Sequence, residues 1–257
     1  INMKLHKLAI VASTVTFLSG CIVIATPSHA DYRAQKSLSL QADGLEEFEI
    51  KAGAGKLHVT GEEGLTEILV EADIYTESSN PENYIFELTE RNGEALLIAK
   101  MKSTSGSWVG SSPHMDVTVR MPANLKLDLE DGSGELTVSN INASVEIDDG
   151  SGDIVVSKIN GTLEIDDGSG ELTVSEVNGD TEIEDGSGDM KVSMVNGSLS
   201  VDDGSGDFTA KDISGVVTIN DGSGDITVKG AGGLKILDDG SGSLKVKDVR
   251  GGFEIDS

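Results

Sequence analysis

Asp149-Gly-Ser-Gly-Asp-Ile-Val-Val-Ser157 and Lys158-Ile-Asn-Gly-Thr-Leu-Glu-Ile-Asp166 are two halves of one repeating unit, written on a shared plan. In each half the fourth residue is glycine and the sixth and eighth are apolar. Asp-Gly-Ser-Gly recurs at Asp131, Asp149, Asp167, Asp185, Asp203, Asp221 and Asp239, a period of 18 residues with no insertion or deletion between motifs. A fixed period of this length marks a solenoid, in which each repeat buries its apolar face against its neighbours.

The apolar positions alternate with polar ones, as in a strand with one wet face. The first strand of each coil points inward with Leu136/Val138, Ile154/Val156, Leu172/Val174, Met190/Val192, Phe208/Ala210, Ile226/Val228 and Leu244/Val246. The second does so with Val145/Ile147, Leu163/Ile165, Leu199/Val201, Val217/Ile219 and Phe253/Ile255. A fifth apolar residue (Ile141, Ile159, Val177, Val195, Ile213, Val249) precedes the second glycine and is expected to turn inward at the bend. Five inward side chains cannot offset the entropy of ordering a whole coil, so the coils must stack. The expected fold is all-β, a right-handed parallel β-solenoid of 18-residue coils with two short strands each. At ~4.8 Å per coil the seven-fold array over 131–257 would be a rod of roughly 34 Å.

Composition agrees. The chain has 257 residues, 32 glycines, 4 prolines and 4% aromatics, which suits sharp, frequent turns better than a bulky core. Its formal charge of -26 excludes nucleic acid as a partner, because phosphate binding relies on clustered Lys and Arg. The same charge would be repelled by an anionic membrane and would attract cations or cation-bridged surfaces. A single cysteine rules out an internal disulfide framework.

Residues 1–30 read as a targeting segment. Lys4, His6 and Lys7 form a basic start, and Leu8 to Leu18 is an apolar run too short to span a bilayer. Two cleavage sites fit. Leu18-Ser19-Gly20-Cys21 resembles a lipobox, which would make Cys21 the acylated first residue of a membrane-anchored envelope lipoprotein. Ser28-His29-Ala30 resembles an ordinary signal-peptidase site, which would release a soluble periplasmic or secreted protein. The complete four-residue match favours Cys21. Any contact with membrane is expected only through that anchor.

Residues 31–130 hold strand-like stretches without a strict period: Glu47 to Ala52, Lys56 to Thr60, Thr66 to Tyr75, Tyr84 to Glu90, Ala95 to Lys102 and Met115 to Leu129. They are expected to form wider, irregular coils continuous with the solenoid and capping it. The loop from Ser103 to Pro113 carries the only tryptophan, Trp108, and is a candidate contact for a single protein partner. Met115-Asp-Val-Thr-Val-Arg-Met-Pro122, then Leu125-Lys-Leu-Asp-Leu129 and the run of Ser-Gly-Asp/Glu-apolar-x-Val units, resembles the bacterial adhesin-like family of β-strand-repeat proteins, a family largely of unknown function. The resemblance covers roughly residues 45 to 257; it implies a solenoid and an envelope location, and brings no catalytic residues with it.

The acidic turns are the most prominent candidate site. Asp148-Asp149-Gly-Ser-Gly-Asp153 and its counterparts place carboxylates in vertical ladders, where neighbours ~4.8 Å apart repel by roughly 1 kcal/mol even in water. Calcium, a hard cation, could compensate at Asp149, Asp167, Asp185, Asp203, Asp221 and Asp239. The turn resembles the β-roll nonapeptide Gly-Gly-x-Gly-x-Asp-x-apolar-x but has Leu136, Ile154, Leu172 or Ile226 where that motif needs its aspartate. The favoured reading needs no metal or other cofactor: each Asp accepts hydrogen bonds from its own turn, and Gly supplies positive φ. Asn142, Asn160, Asn178 and Asn196 read as another stacked turn ladder. For catalysis the chain after residue 30 offers only His58 and His114, far apart, and no Gly-x-Ser-x-Gly or His-Glu-x-x-His motif. A serine repeated in seven turns is a turn residue. The expected function is a non-enzymatic structural or adhesin-like envelope module, with an accessory or sensor scaffold acting through one partner as the alternative.

Overall fold

The computed structural model describes residues 32–76, 81–102 and 112–255. In chain order the strands are β1 (Tyr32–Gln41), β2 (Glu47–Ala52), β3 (Leu57–Glu62), β4 (Glu67–Thr76), β5 (Tyr84–Arg91), β6 (Glu94–Met101), β7 (His114–Pro122), β8 (Lys126–Asp131), β9 (Gly134–Ile141) and β10 (Val145–Asp149). The regular array continues with β11 (Gly152–Ile159), β12 (Leu163–Asp167), β13 (Leu172–Val177), β14 (Thr181–Asp185), β15 (Met190–Val195) and β16 (Leu199–Asp203). It ends with β17 (Phe208–Asp221), β18 (Ile226–Asp238), β19 (Leu244–Val249) and β20 (Phe253–Ile255).

The fold is a parallel β-solenoid. One stack runs β6, β2, β8, β10, β12, β14, β16 and then the second halves of β17 and β18 to β20. The other runs β7, β3, β9, β11, β13, β15 and the first halves of β17 and β18 to β19. Pairs such as Ile154↔Leu172 and Val156↔Val174 sit one repeat apart, so each inward residue rests on its counterpart and the apolar column is continuous. The fifth position does turn inward: Ile141, Ile159, Val177, Val195 and Ile213 are buried. Each follows a non-glycine residue in the left-handed region, such as Lys158 at φ 59° and Met194 at φ 56°, which swings the chain round the corner.

The N-terminal strands do more than widen the coils. The β2–β3 coil lies between β8–β9 on one side and β6–β7 on the other, so spatial order departs from chain order. The outer layer is antiparallel, with β5 on β6, β4 on β7 and β1 on β4. The β5–β6 turn is Asn92-Gly93, at φ 58° and 87°, the two-residue hairpin geometry that matches strand twist. The stretch expected as one strand from Met115 to Leu129 is two, because the chain turns at Ala123 and Asn124 after Pro122.

Two expectations for the last coils are corrected. The spacing of Asp-Gly-Ser-Gly is constant, but the register is not: Ile213 pairs with Ala231, whereas Val217 pairs with Leu234 and Ile219 with Ile236, one residue short. Leu237 restores the phase as an extra residue, is 43% exposed, and brings Asn220 opposite Asp238. A deletion and an insertion therefore cancel within one coil. Val246, Phe253 and Ile255 hold the expected inward register, yet are exposed, because no described strand stacks beyond β19 and β20.

Candidate functional site

Along β10 the side chains alternate inward and outward: Val145, Ile147 and Asp149 are buried while Glu146 and Asp148 face solvent. The last inward position of this strand and of its counterparts from β8 to β17 is thus an aspartate. Asp131, Asp149, Asp167, Asp185, Asp203 and Asp221 stack in register into one column, each 6% exposed or less. Asp131 joins the column although it stands one coil before the expected set. Asp239 does not: the compensated slip leaves it and Asp238 exposed, and Asp238 accepts from the Gly240 amide at 2.9 Å.

Turn amides satisfy part of this column. The Ser169, Ser187 and Ser223 amides donate to Asp167, Asp185 and Asp221 at 3.0, 3.0 and 2.9 Å, and the Gly132 amide donates to Asp131 at 2.8 Å. The other carboxylate oxygen of each of these four has no partner, and at Asp149 and Asp203 neither oxygen reaches bonding geometry. Burial disfavours the charged form and neighbouring aspartates add to it, while turn amides pull the other way. Asp149 is pushed up to about 7, by burial first and then by Asp131 and Asp167. Asp203 is likewise pushed to about 7, by burial and then Asp185 and Asp221. Asp131 and Asp185 rise to about 6, mainly through burial. Burial also raises Asp167 and Asp221.

A second acidic system faces outward. Glu146, Glu164 and Glu182 form one column, and Asp148, Asp166, Glu184 and Asp202 the next. On the opposite sheet Asp153, Asp189, Asp207 and Asp225 accept from the backbone amides of Glu171, Asp207, Asp225 and Ser243 one coil on, at 2.9–3.2 Å. These outer carboxylates clip successive coils together. The asparagine ladder forms over three of its four expected members, Asn160 donating to Asn142 and Asn178 to Asn160, both at 2.6 Å, while Asn196 accepts from Ser214 Oγ at 3.2 Å.

His58 and His114 are not brought together. His58 bonds Thr60 Oγ1 at 3.1 Å on β3, whereas His114 stacks on Tyr75 at 4.5 Å, four residues along β7 from Thr118, the partner of His58. Beside that stack, a groove of about 360 Å³ is lined by Lys36, Glu71, Asp73, Asp116 and Thr118 on β1, β4 and β7. Sequence reading missed it because it comes from antiparallel pairing, not from the repeat. Cys21 and Trp108 lie outside the described residues. Among the described residues no helix is long and apolar enough to cross a membrane.

The model of the family described as Toastrack DUF4097 matches residues 46–236. No curated protein sequence matches the chain. Solved structures with similar coordinates include a candidate cell adhesion protein from Clostridium sporogenes (11% identity, 84% of this chain and 99% of that one, TM-score 0.43). Two more are a candidate adhesin from Bacteroides fragilis (14%, 86% and 97%, TM-score 0.48) and a candidate lipid binding protein from Parabacteroides distasonis (12%, 87% and 97%, TM-score 0.42).

Proposed function

Because the chain belongs to the Toastrack DUF4097 family, a family without an assigned chemistry, we propose from its own surface that it is a non-enzymatic, adhesin-like rod of the cell envelope. It is exported, held to the membrane by an acyl chain on Cys21, and presents its outer acidic columns to cationic or cation-bridged surfaces. The observation that carries this reading is the unbroken outward column Asp148, Asp166, Glu184 and Asp202, flanked by Glu146, Glu164 and Glu182. Carboxylates at coil spacing make a regular polyanionic face, whose attraction for cations is additive along the rod. A catalyst needs one constellation once; here similar carboxylates recur on successive coils, from Glu146 to Glu182 and from Asp148 to Asp202.

The experiment is the intact mass of the mature protein with surface labelling of whole cells. An acylated N-terminal Cys21 and labelled coils are expected, with Cys21→Ala moving the protein to the soluble fraction. A mature chain starting at Asp31 without lipid would overturn the anchor, and coils unlabelled on whole cells but labelled after permeabilisation would overturn surface presentation.

A further inference from the structure

We propose that the buried column Asp131–Asp149–Asp167–Asp185–Asp203–Asp221 is a proton-binding site that couples mild acidification to the stability of the rod. The geometry is unusual for aspartate. Six carboxyls stack one per coil on the inward side of a parallel sheet, each almost wholly shielded from water. Among their twelve oxygens, one each on Asp131, Asp167, Asp185 and Asp221 and both on Asp149 and Asp203 make no bond of good geometry, the Gly150 and Ser151 amides only approaching Asp149 and the Ser205 amide Asp203. A buried, unpaired carboxylate oxygen is costly, and the smallest ligand that removes the charge is a proton. Neutral and charged carboxyls alternating up the column would also relieve the repulsion between rungs ~4.8 Å apart.

The surrounding charges do not supply an alternative. Among the described residues, Lys100 is the cation that acts on the column, at its Asp131 end. Asp166 and Asp153 act on Asp167, Asp202 on Asp203, and Asp238 and Asp239 on Asp221, all negative. The raised values of about 7 at Asp149 and Asp203 and about 6 at Asp131 and Asp185 agree with the geometry. The sign follows from linkage. A carboxyl whose folded value exceeds the unfolded one, near 3.9, holds its proton better in the fold. Its stabilisation is complete below that unfolded value and is lost as pH rises through about 6 to 7. This inference is independent of the adhesive reading, since it concerns the interior and not the outer columns.

The test is thermal unfolding of the full chain between pH 8 and pH 5, compared with the Asp149→Asn/Asp203→Asn variant. The isosteric amides cannot ionise, so the variant isolates the column from general relief of the acidic surface. The wild type is expected to gain on the order of 5 °C or more on acidification. The variant should melt higher than the wild type at pH 8 and show a visibly shallower pH dependence. Equal slopes for the two proteins would overturn the proposal. Because the variant could fail to fold, carboxyl carbon-13 shifts of the wild-type aspartates give a second reading. At least two aspartates titrating near pH 6 to 7 support the column; all of them titrating near pH 4 overturn it. Saturable calcium binding at pH 8 that the variant loses would instead make the occupant a metal and also overturn it.

Discussion

Gly170 stacks on Gly152 so closely that a Cβ built on Gly170 would collide with the Gly152 carbonyl, and Gly170 holds φ at 146°. The same contact recurs from Gly134 to Gly224, where each glycine faces the glycine one coil earlier. Only glycine meets both demands, a mirror-image backbone angle and coil-to-coil backbone contact. Gly170→Ala is therefore expected to cost more than about 2 kcal/mol, against less than about 0.5 kcal/mol for Ser169→Ala in the same turn. Urea unfolding of the two variants checks this; equal midpoints would contradict it.

Thr181 occupies an inward position between Leu163 and Leu199, 2% exposed, with a hydroxyl that bonds nothing. Thr181→Val keeps the shape and removes the unsatisfied group, so it should stabilise by about 1 kcal/mol. Ile165→Asp, one coil earlier on the same sheet, places a charge in the apolar column and should abolish stable folding, while Glu164→Gln on the wet face should be nearly silent. Melting by circular dichroism reads all three, and a Thr181→Val protein melting below wild type would show that the hydroxyl is used.

The folded rod is expected to survive EDTA, because its coils are held by backbone ladders and buried apolar columns. Calcium should still raise the melting temperature modestly by shielding outer carboxylates that lie well inside the ~8 Å Debye length, and sodium chloride at equal ionic strength should reproduce much of that rise. Loss of β-structure in EDTA would make the aspartates obligatory ligands.

The repeat made the coil, its two strands and its inward columns legible, because side-chain alternation and a fixed period report directly on which face is buried. Three features escaped for physical reasons. The slip at Val216 and Leu237 hid behind a constant Asp-Gly-Ser-Gly spacing, since a deletion and an insertion within one coil leave the motifs in phase. The antiparallel cap and the groove beside Asp73 depend on long-range pairing, such as Val70 with both Leu38 and Val119, which no local pattern encodes. Asn92-Gly93 was the one local signal for that part of the fold. The buried fate of Asp149 was also obscure. Asp148 and Asp149 are the same residue type, and only strand phase sends one to solvent and the other into the core.

The claim that repeated outer faces, not one unique patch, carry binding is tested most directly by coil number. Chains lacking residues 149–166 or 149–184 remove one or two whole units while keeping the register at the junction. Cells displaying the full chain, each shortened chain and Trp108→Ala are compared for attachment to a polylysine-coated surface, with folding of each purified protein confirmed by circular dichroism. Attachment should fall stepwise with each coil removed and be unchanged by Trp108→Ala. Full attachment by the folded two-coil deletion, or its loss in Trp108→Ala alone, would contradict the account.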